Sequence, residues 1–296
     1  MVDKFKGMHW MLATPFFDDE QIDFESIPRL VEHAKKSRCT GIVGLGVMGE
    51  SARLTDIERA KVSETILENS QGLPVTLGTT ADSTKAVIDR SKEAESPGAA
   101  AVIVSAPSMA KAYLDALFGY YYRLAESIEI PIVMQDYPQI SGVEMPVSFI
   151  ARVAKEIPQV RYLKLEDPPT PTKISAIRNQ AGERLGIFGG LGGVSLLDEL
   201  RRGSIGAMTG FAYPEILVNI CNHYLNDTLE SASKLFYQYL PLIQFEQQEG
   251  IGLSIRKAGL HHRGFISTPT IRHPASNLPE TTRDELETMI RQVGLD

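Results

Sequence analysis

The sequence predicts an α/β fold, a closed (β/α)8 barrel of the TIM type with a C-terminal helical appendage. Three observations predict it. Eight short apolar runs recur along the chain with amphipathic helical patterns between them, and no composition shift or long linker interrupts the alternation. The runs are mostly apolar throughout rather than alternating, as expected of parallel strands buried on both faces. After Pro214 the alternation stops and the chain reads as helix to its end. Eight β-α units over about 200 residues close into a barrel, with an open doubly wound sheet as the structural alternative. On this reading residues 1–224 form the barrel and residues 225–296 form a helical region packed on it.

The strand runs are residues 9–14, 41–46, 74–79, 100–106, 131–136, 160–166, 185–189 and 206–210. Between the first two, residues 24–36 place Ile27, Leu30, Val31 and Ala34 on one helical face. Thr55-Asp56-Ile57-Glu58 reads as a capping box that opens a helix reaching about residue 68. Residues 83–95, 113–127, 146–156 and 170–181 supply further amphipathic segments. In the appendage, residues 229–248 are rich in Leu, Phe and Tyr, with Pro241 expected to bend the helix. Residues 251–262 follow, then an irregular stretch, 264–279. Thr282-Arg283-Asp284-Glu285 reads as the cap of a last helix running to Val293.

Bulk properties exclude several classes. A net charge of −7 argues against nucleic-acid and anionic-membrane partners, which need a basic surface, but leaves small anionic substrates open. The longest apolar run, residues 99–104, is far too short to cross a bilayer. Cys39 and Cys221 are the only cysteines, so no disulfide framework is expected and a cytoplasmic location fits. Asp3, Lys4 and Lys6 are followed by no clean apolar core, unlike a signal peptide. The six histidines show no ligand-like spacing, so no metal site and no cofactor are expected.

The most informative stretch is Val160-Arg161-Tyr162-Leu163-Lys164-Leu165-Glu166-Asp167, stopped by Pro168-Pro169. Strand alternation puts Val160, Tyr162, Lys164 and Glu166 on one face. At ~3.3 Å per residue Lys164 and Glu166 stand about 7 Å apart along the strand. One reading is a salt-bridged pair on a solvent face. The other is a lysine desolvated inside the C-terminal mouth of a barrel, usable as an amine nucleophile toward a carbonyl.

Other strand ends carry polar or glycine-rich groups. Gly46-Val47-Met48-Gly49-Glu50-Ser51 presents backbone N–H groups before a helix, either an ordinary glycine loop or a carboxylate site. Gly44-Leu45-Gly46-Val47-Met48-Gly49 also spells GxGxxG, but it lies in the second β-α unit. The next strand ends Gly78-Thr79-Thr80, without the acidic residue that grips a ribose. Met134-Gln135-Asp136-Tyr137-Pro138 ends the fifth strand. Gly189-Gly190 and Met208-Thr209-Gly210-Phe211 end the seventh and eighth, where glycines serve tight turns or close approach of a ligand.

The order of Thr14-Pro15-Phe16, Gly46-x-x-Gly49-Glu50-Ser51, Asp136-x-Pro138, Leu163-Lys164 and Gly189-Gly190 resembles the dihydrodipicolinate synthase / N-acetylneuraminate lyase family over nearly the whole chain. The resemblance implies a class I aldolase-type barrel that binds a small 2-keto acid as a Schiff base on Lys164. It also implies a homodimer or homotetramer. The chain departs from the family pattern at several places. Val47 and Met48 stand where two hydroxyl residues usually hold the keto-acid carboxylate, and Gln135, or alternatively Tyr137, where a tyrosine usually relays protons. Ile140 replaces an arginine of the dihydrodipicolinate-forming enzymes, and Ala106-Pro107-Ser108 replaces a fourth-strand tyrosine. Gln-Asp-x-Pro, Lys-Leu-Glu-Asp-Pro-Pro and Met-Thr-Gly-Phe look instead like the L-2-keto-3-deoxyarabonate dehydratase branch.

The expectation is therefore a lyase that dehydrates a 2-keto-3-deoxy sugar acid, with Lys164, Glu166 and Gln135 catalytic. Thr14, Gly46, Val47, Met48, Gly49, Glu50, Ser51, Tyr137, Gly190 and Thr209 are expected to bind substrate. The alternative is an aldolase that cleaves a related acid to pyruvate and an aldehyde. Dihydrodipicolinate synthesis and a non-catalytic keto-acid binder rank lower.

Overall fold

The computed structural model describes residues 5–111 and 113–295. Eight strands, β1 (Gly7–Met11), β2 (Gly41–Gly44), β3 (Val75–Gly78), β4 (Ala101–Ser105), β5 (Ile132–Asp136), β6 (Val160–Leu165), β7 (Gly186–Gly189) and β8 (Gly206–Thr209), form a closed barrel in sequence order. Every neighbouring pair is parallel, and β1 closes the ring against β8 through Gly7↔Gly206 to Trp10↔Thr209. The seam needs glycine: a Cβ on Gly206 would lie 1.8 Å from the Gly7 carbonyl oxygen.

Strand burial follows the apolar runs, and nearly every strand residue is shielded from solvent. The exception is Arg161. The β5–β6 register jumps from Ile132↔Val160 to Val133↔Tyr162, so Arg161 is bulged out and exposed at the start of β6. Tyr162, Lys164 and Glu166 keep the expected alternation, whereas Val160 lies beyond the bulge. The charged side chain reaches water there instead of displacing the alternation above it. Inside the barrel, Phe5 stacks on Tyr162 at 4.7 Å and on His9 at 5.0 Å, and Phe188 contacts both His9 and Tyr162. These rings fill the lower barrel and leave the C-terminal mouth as the open end.

Helices follow the strands. Ile27, Leu30, Val31 and Ala34 form the buried face of helix Ser26–Lys36. The capping box at Thr55 is formed: Thr55 Oγ1 accepts from the Glu58 amide at 3.2 Å, and the Thr55 amide donates to Glu58 Oε2 at 2.8 Å. The last helix departs from the sequence reading. It runs Glu280–Gln292 behind Pro279 and has no side-chain cap among the described residues, and Thr282 sits inside its first turn. Proline's fixed φ, here −58°, already sets the chain for helix entry at residue 280. Pro241 lies within a single helix, Leu229–Glu246.

The appendage is tied to the barrel by buried polar contacts. Lys257, on helix Gly252–His262, is fully buried and donates to Glu50 Oε1 at 2.6 Å and to the Thr270 carbonyl at 2.8 Å. Arg272 donates to both Glu58 carboxylate oxygens and to the Arg53 carbonyl. Glu246 accepts from the Ala212 amide just beyond β8. Among the described residues no helix is long and apolar enough to cross a membrane.

Candidate active site

At the C-terminal end of β6, Lys164 and Glu166 project into the barrel mouth. Lys164 is 2% exposed and Glu166 6%. Their side chains meet: Lys164 Nζ lies 2.8 Å from Glu166 Oε2. The 7 Å spacing along the strand is thus closed by the side chains bending toward each other, and the pair is in contact rather than merely in reach. Met11 on β1 places its Sδ 3.0 Å from the same Nζ. Burial pulls the Lys164 amine below the usual lysine range, Glu166 pushes back toward the charged form, and Arg256 adds a smaller downward push.

A second layer holds the carboxylate. Gln135, next to Lys164 in the β5–β6 register, donates from Nε2 to Glu166 Oε2 at 2.6 Å. Ser105, next to Gln135 in the β4–β5 register, donates from Oγ to Gln135 Oε1 at 2.9 Å. This hydroxyl fixes the amide so that its NH2 faces Glu166. Three adjacent strands therefore deliver one chain of contacts, Ser105–Gln135–Glu166–Lys164. Gly190 completes it, because a Cβ there would lie 2.2 Å from Glu166 Cγ.

The neighbouring Asp136 faces the other way. It is fully buried beneath helix Thr170–Ala181, where Lys173 bonds it at 2.6 Å and also reaches Asp167 at 2.7 Å. Burial raises its carboxyl to about 6 despite that lysine.

Above the pair opens a cavity of about 520 Å³, within the range of small-molecule sites. Of the residues expected from sequence, Val47, Met48, Tyr137, Lys164, Glu166 and Thr209 line it. Gln135 lies beneath it, 3% exposed, and acts on it through Glu166. Thr14 braces the β2 loop instead, its hydroxyl donating to the Gly49 carbonyl at 2.7 Å. Gly46 stays clear of Met11, whose Cε would meet a Cβ at 2.3 Å.

Glu50 is turned away from the cavity, into its buried contacts with Lys257 and Arg53. Ser51 lies beyond it in a short 3-10 turn, Ser51–Arg53. The loop amides of Gly49 and Glu50 donate to the Gly46 and Val47 carbonyls. The Val47 and Met48 amides have no backbone acceptor among the described residues, so the loop's capacity for an anion rests on these two.

The other wall was not foreseen. It comes from the appendage, with Gln247, Gln248, Glu249, Gly250, Gly252, Leu253 and Arg256 closing over the mouth. A signal was present in the sequence. Arg256 and Lys257 are consecutive in a helix, about 100° apart, and an isolated periodicity does not say which face meets the barrel. Both turn inward. Burial holds the Arg256 guanidinium below its ordinary range. Among the described residues, no group of three or more His, Cys, Asp or Glu is placed to hold a metal.

A parallel barrel with a buried lysine–carboxylate pair at its C-terminal mouth, beneath a small-molecule cavity, is the architecture of a barrel lyase. A model of the dihydrodipicolinate synthetase family matches residues 4–293, and the chain belongs to that family. An L-2-keto-3-deoxyarabonate dehydratase from Azospirillum brasilense is 31% identical over 293 residues, covering 97% of this chain and 94% of the relative. A 4-hydroxy-tetrahydrodipicolinate synthase from Methanosarcina barkeri is 28% identical, over 98% of this chain and 99% of its own. Among solved structures, the dihydrodipicolinate synthase from Rhodopseudomonas palustris superposes with a TM-score of 0.92 at 31% identity, over 98% of each chain.

Proposed function

We propose that this lyase dehydrates a 2-keto-3-deoxy sugar acid through a Schiff base on Lys164, with Glu166 as the acid and base. The observation that carries the reading is the direct Lys164–Glu166 contact, held by Gln135. The amine must be neutral to attack, and burial already favours that form. Its proton has a short path to Glu166. The amine then adds to the ketone, and the protonated carboxyl assists loss of the carbinolamine hydroxyl as water. The iminium acidifies carbon 3. Glu166, again a carboxylate, takes a carbon 3 proton to give the enamine and returns a proton to the hydroxyl leaving carbon 4. Addition of water to the imine releases product and the free amine. Gln135 orients the carboxylate but cannot itself relay protons at neutral pH.

The similarity to the Azospirillum dehydratase supports this substrate class. So does the lining. Ile140, 60% exposed, lines the cavity in place of the arginine expected of a dihydrodipicolinate-forming enzyme. The substrate carboxylate would be held by the Val47 and Met48 amides. As an assembly we propose the homodimer or homotetramer implied by the family; a structural neighbour described as a monomeric variant superposes with a TM-score of 0.92. Sedimentation decides that point.

The test of the function is a panel of 2-keto-3-deoxy acids followed for water loss and for pyruvate. Dehydrated product with an intact carbon skeleton is expected. Pyruvate plus an aldehyde would replace the dehydratase reading with the aldolase one, and no adduct on Lys164 after borohydride would remove both.

A further inference from the structure

We infer that Arg256 is a specificity-determining residue, which hydrogen-bonds an oxygen on the substrate beyond carbon 4 and so selects keto acids that carry one. The inference rests on the Schiff-base reading of Lys164 and adds the far end of the substrate to it.

Arg256 enters the cavity from the appendage, on the wall formed with Gln247, Leu191 and Gly192. The lysine-bound carbon 2 fixes one end of the substrate, and the carboxylate beside it points to the apolar Val47–Met48 side with its two amides. The rest of the carbon chain must run to the remaining cavity, toward Tyr137, Leu191, Gly192 and the appendage. Arg256 is the cationic side chain lining that portion. It is held in place. Its Nη2 donates to Gln247 Oε1 at 2.5 Å, and Gly192, with φ +69°, leaves the space it occupies: a Cβ there would lie 2.9 Å from Nη2 and 2.5 Å from the Gln247 oxygen. A guanidinium offers five N–H donors. Among the described residues its Nε is buried without a hydrogen-bond partner, 3.8 Å from Glu246 and too far to bond it, so the part of Arg256 that lines the cavity is the outer guanidinium end.

The chemistry of the acceptor follows from the surrounding charge. Glu249 and Glu166 share the cavity wall with Arg256, so negative charge is already supplied. What the guanidinium lacks is lone pairs at bonding distance. A hydroxyl oxygen supplies these without adding another anion to a wall that already carries two carboxylates. The ligand class is thus a 2-keto-3-deoxy acid with a hydroxyl on carbon 5.

A matched pair of compounds tests this: 2-keto-3-deoxypentonate, and 4-hydroxy-2-ketopentanoate, which differs by lacking the carbon 5 oxygen. The readout is the half-saturating concentration for borohydride trapping on Lys164, which does not depend on the onward reaction. In the wild type the pentonate should saturate at a concentration on the order of ten- to a hundred-fold lower, the value of one hydrogen bond to a charged donor. Arg256→Met should erase that ratio. Arg256→Lys, which keeps the charge without the fork, should leave a reduced ratio. Pyruvate, with no carbon beyond its methyl, is trapped in parallel with every variant to report folding and the lysine chemistry. A wild-type ratio near one, or a ratio unchanged in Arg256→Met or Arg256→Lys, overturns the inference while leaving the Schiff base standing. Failure of the wild type to trap any of the three compounds overturns the Schiff-base reading, and the inference with it.

Discussion

Gly190 and Glu166 are fitted to each other: a Cβ on Gly190 would lie 2.2 Å from Glu166 Cγ and 2.7 Å from its carboxyl carbon. The glycine's φ of −110° lies outside the left-handed region, and what a Cβ there would meet is the Glu166 side chain. The end of β7 thereby determines where the β6 carboxylate stands, and with it the contacts to Lys164 and Gln135.

This gives a first prediction. Gly190→Ala should displace the Glu166 carboxylate and lower kcat, approaching the about 10²–10⁴-fold that loss of a general acid or base costs. The pyruvate adduct on Lys164 should still form. The two positions should also be coupled: in a Glu166→Gln background the added methyl should cost much less than in the wild type. Full additivity of the two effects on kcat would show that Gly190 serves something other than the carboxylate.

A second prediction concerns stability and pH. Burial raises three carboxyls, Asp136 to about 6 and Glu199 and Glu246 to about 7, from ordinary values of 3.8, 4.5 and 4.5. A folded-state pKa above the unfolded one means that the folded chain holds a proton the unfolded chain has already released. The associated stability is complete below the unfolded values and is lost as pH rises through about 6 to 7. Carboxylates shifted the other way, such as Glu58 at about 2, have delivered their full contribution above pH 5. Lys257, lowered to about 8, acts only at higher pH. Melting temperature should therefore fall from pH 5 to pH 8. Glu199→Gln, which keeps an acceptor for the Thr170 hydroxyl, should flatten the slope. An unchanged slope in that variant, measured by calorimetry across the window, would remove Glu199 from the account.

The barrel was legible because each strand is a short apolar run between amphipathic helices, a pattern set by burial alone. The Lys164–Glu166 juxtaposition was legible because strand alternation is local. Two kinds of feature were not. One is contact distance: residue spacing gives the rise along β6, but side-chain flexibility closes it to 2.8 Å. The other is what the appendage does. Nothing local to Glu50 says that its partner is Lys257, 207 residues away, and nothing local to Arg256 says that it closes the cavity. The misplaced cap at Thr282 has a simpler cause, since Pro279 starts the helix without needing a hydroxyl.

A third prediction follows for Glu50. Lys257 and Glu50 form an ion pair with both side chains fully buried. Removing one charge from such a pair leaves the other uncompensated and typically costs about 3–5 kcal/mol. Glu50→Gln should therefore lower the denaturation midpoint strongly, while the KM of molecules that remain folded changes little. A large KM change with unaltered stability would return Glu50 to the substrate-binding group.

The last prediction concerns the carboxylate itself. Glu166 Oε2 is shared by the Lys164 amine and the Gln135 amide, and no tyrosine stands at the Gln135 position to move protons. If Glu166 carries both proton transfers, its replacement should separate the two halves of the reaction. Glu166→Gln keeps the volume and a hydrogen-bonding group, so the amine remains packed between Met11 and residue 166. Losing the anion also removes the interaction that favours the charged amine, leaving burial to push it further toward the neutral, attacking form. Borohydride trapping of pyruvate on Lys164 should therefore persist, more slowly because the carbinolamine has lost its acid, and its pH profile should extend to lower pH than in the wild type. Turnover should fall by about 10²–10⁴-fold, because the carbon 3 proton and the carbon 4 hydroxyl have lost their acid and base. Lys164→Ala, in contrast, should abolish the adduct. Near-normal turnover in Glu166→Gln would move the proton transfers to Tyr137 or to water and remove the main support for the dehydratase mechanism.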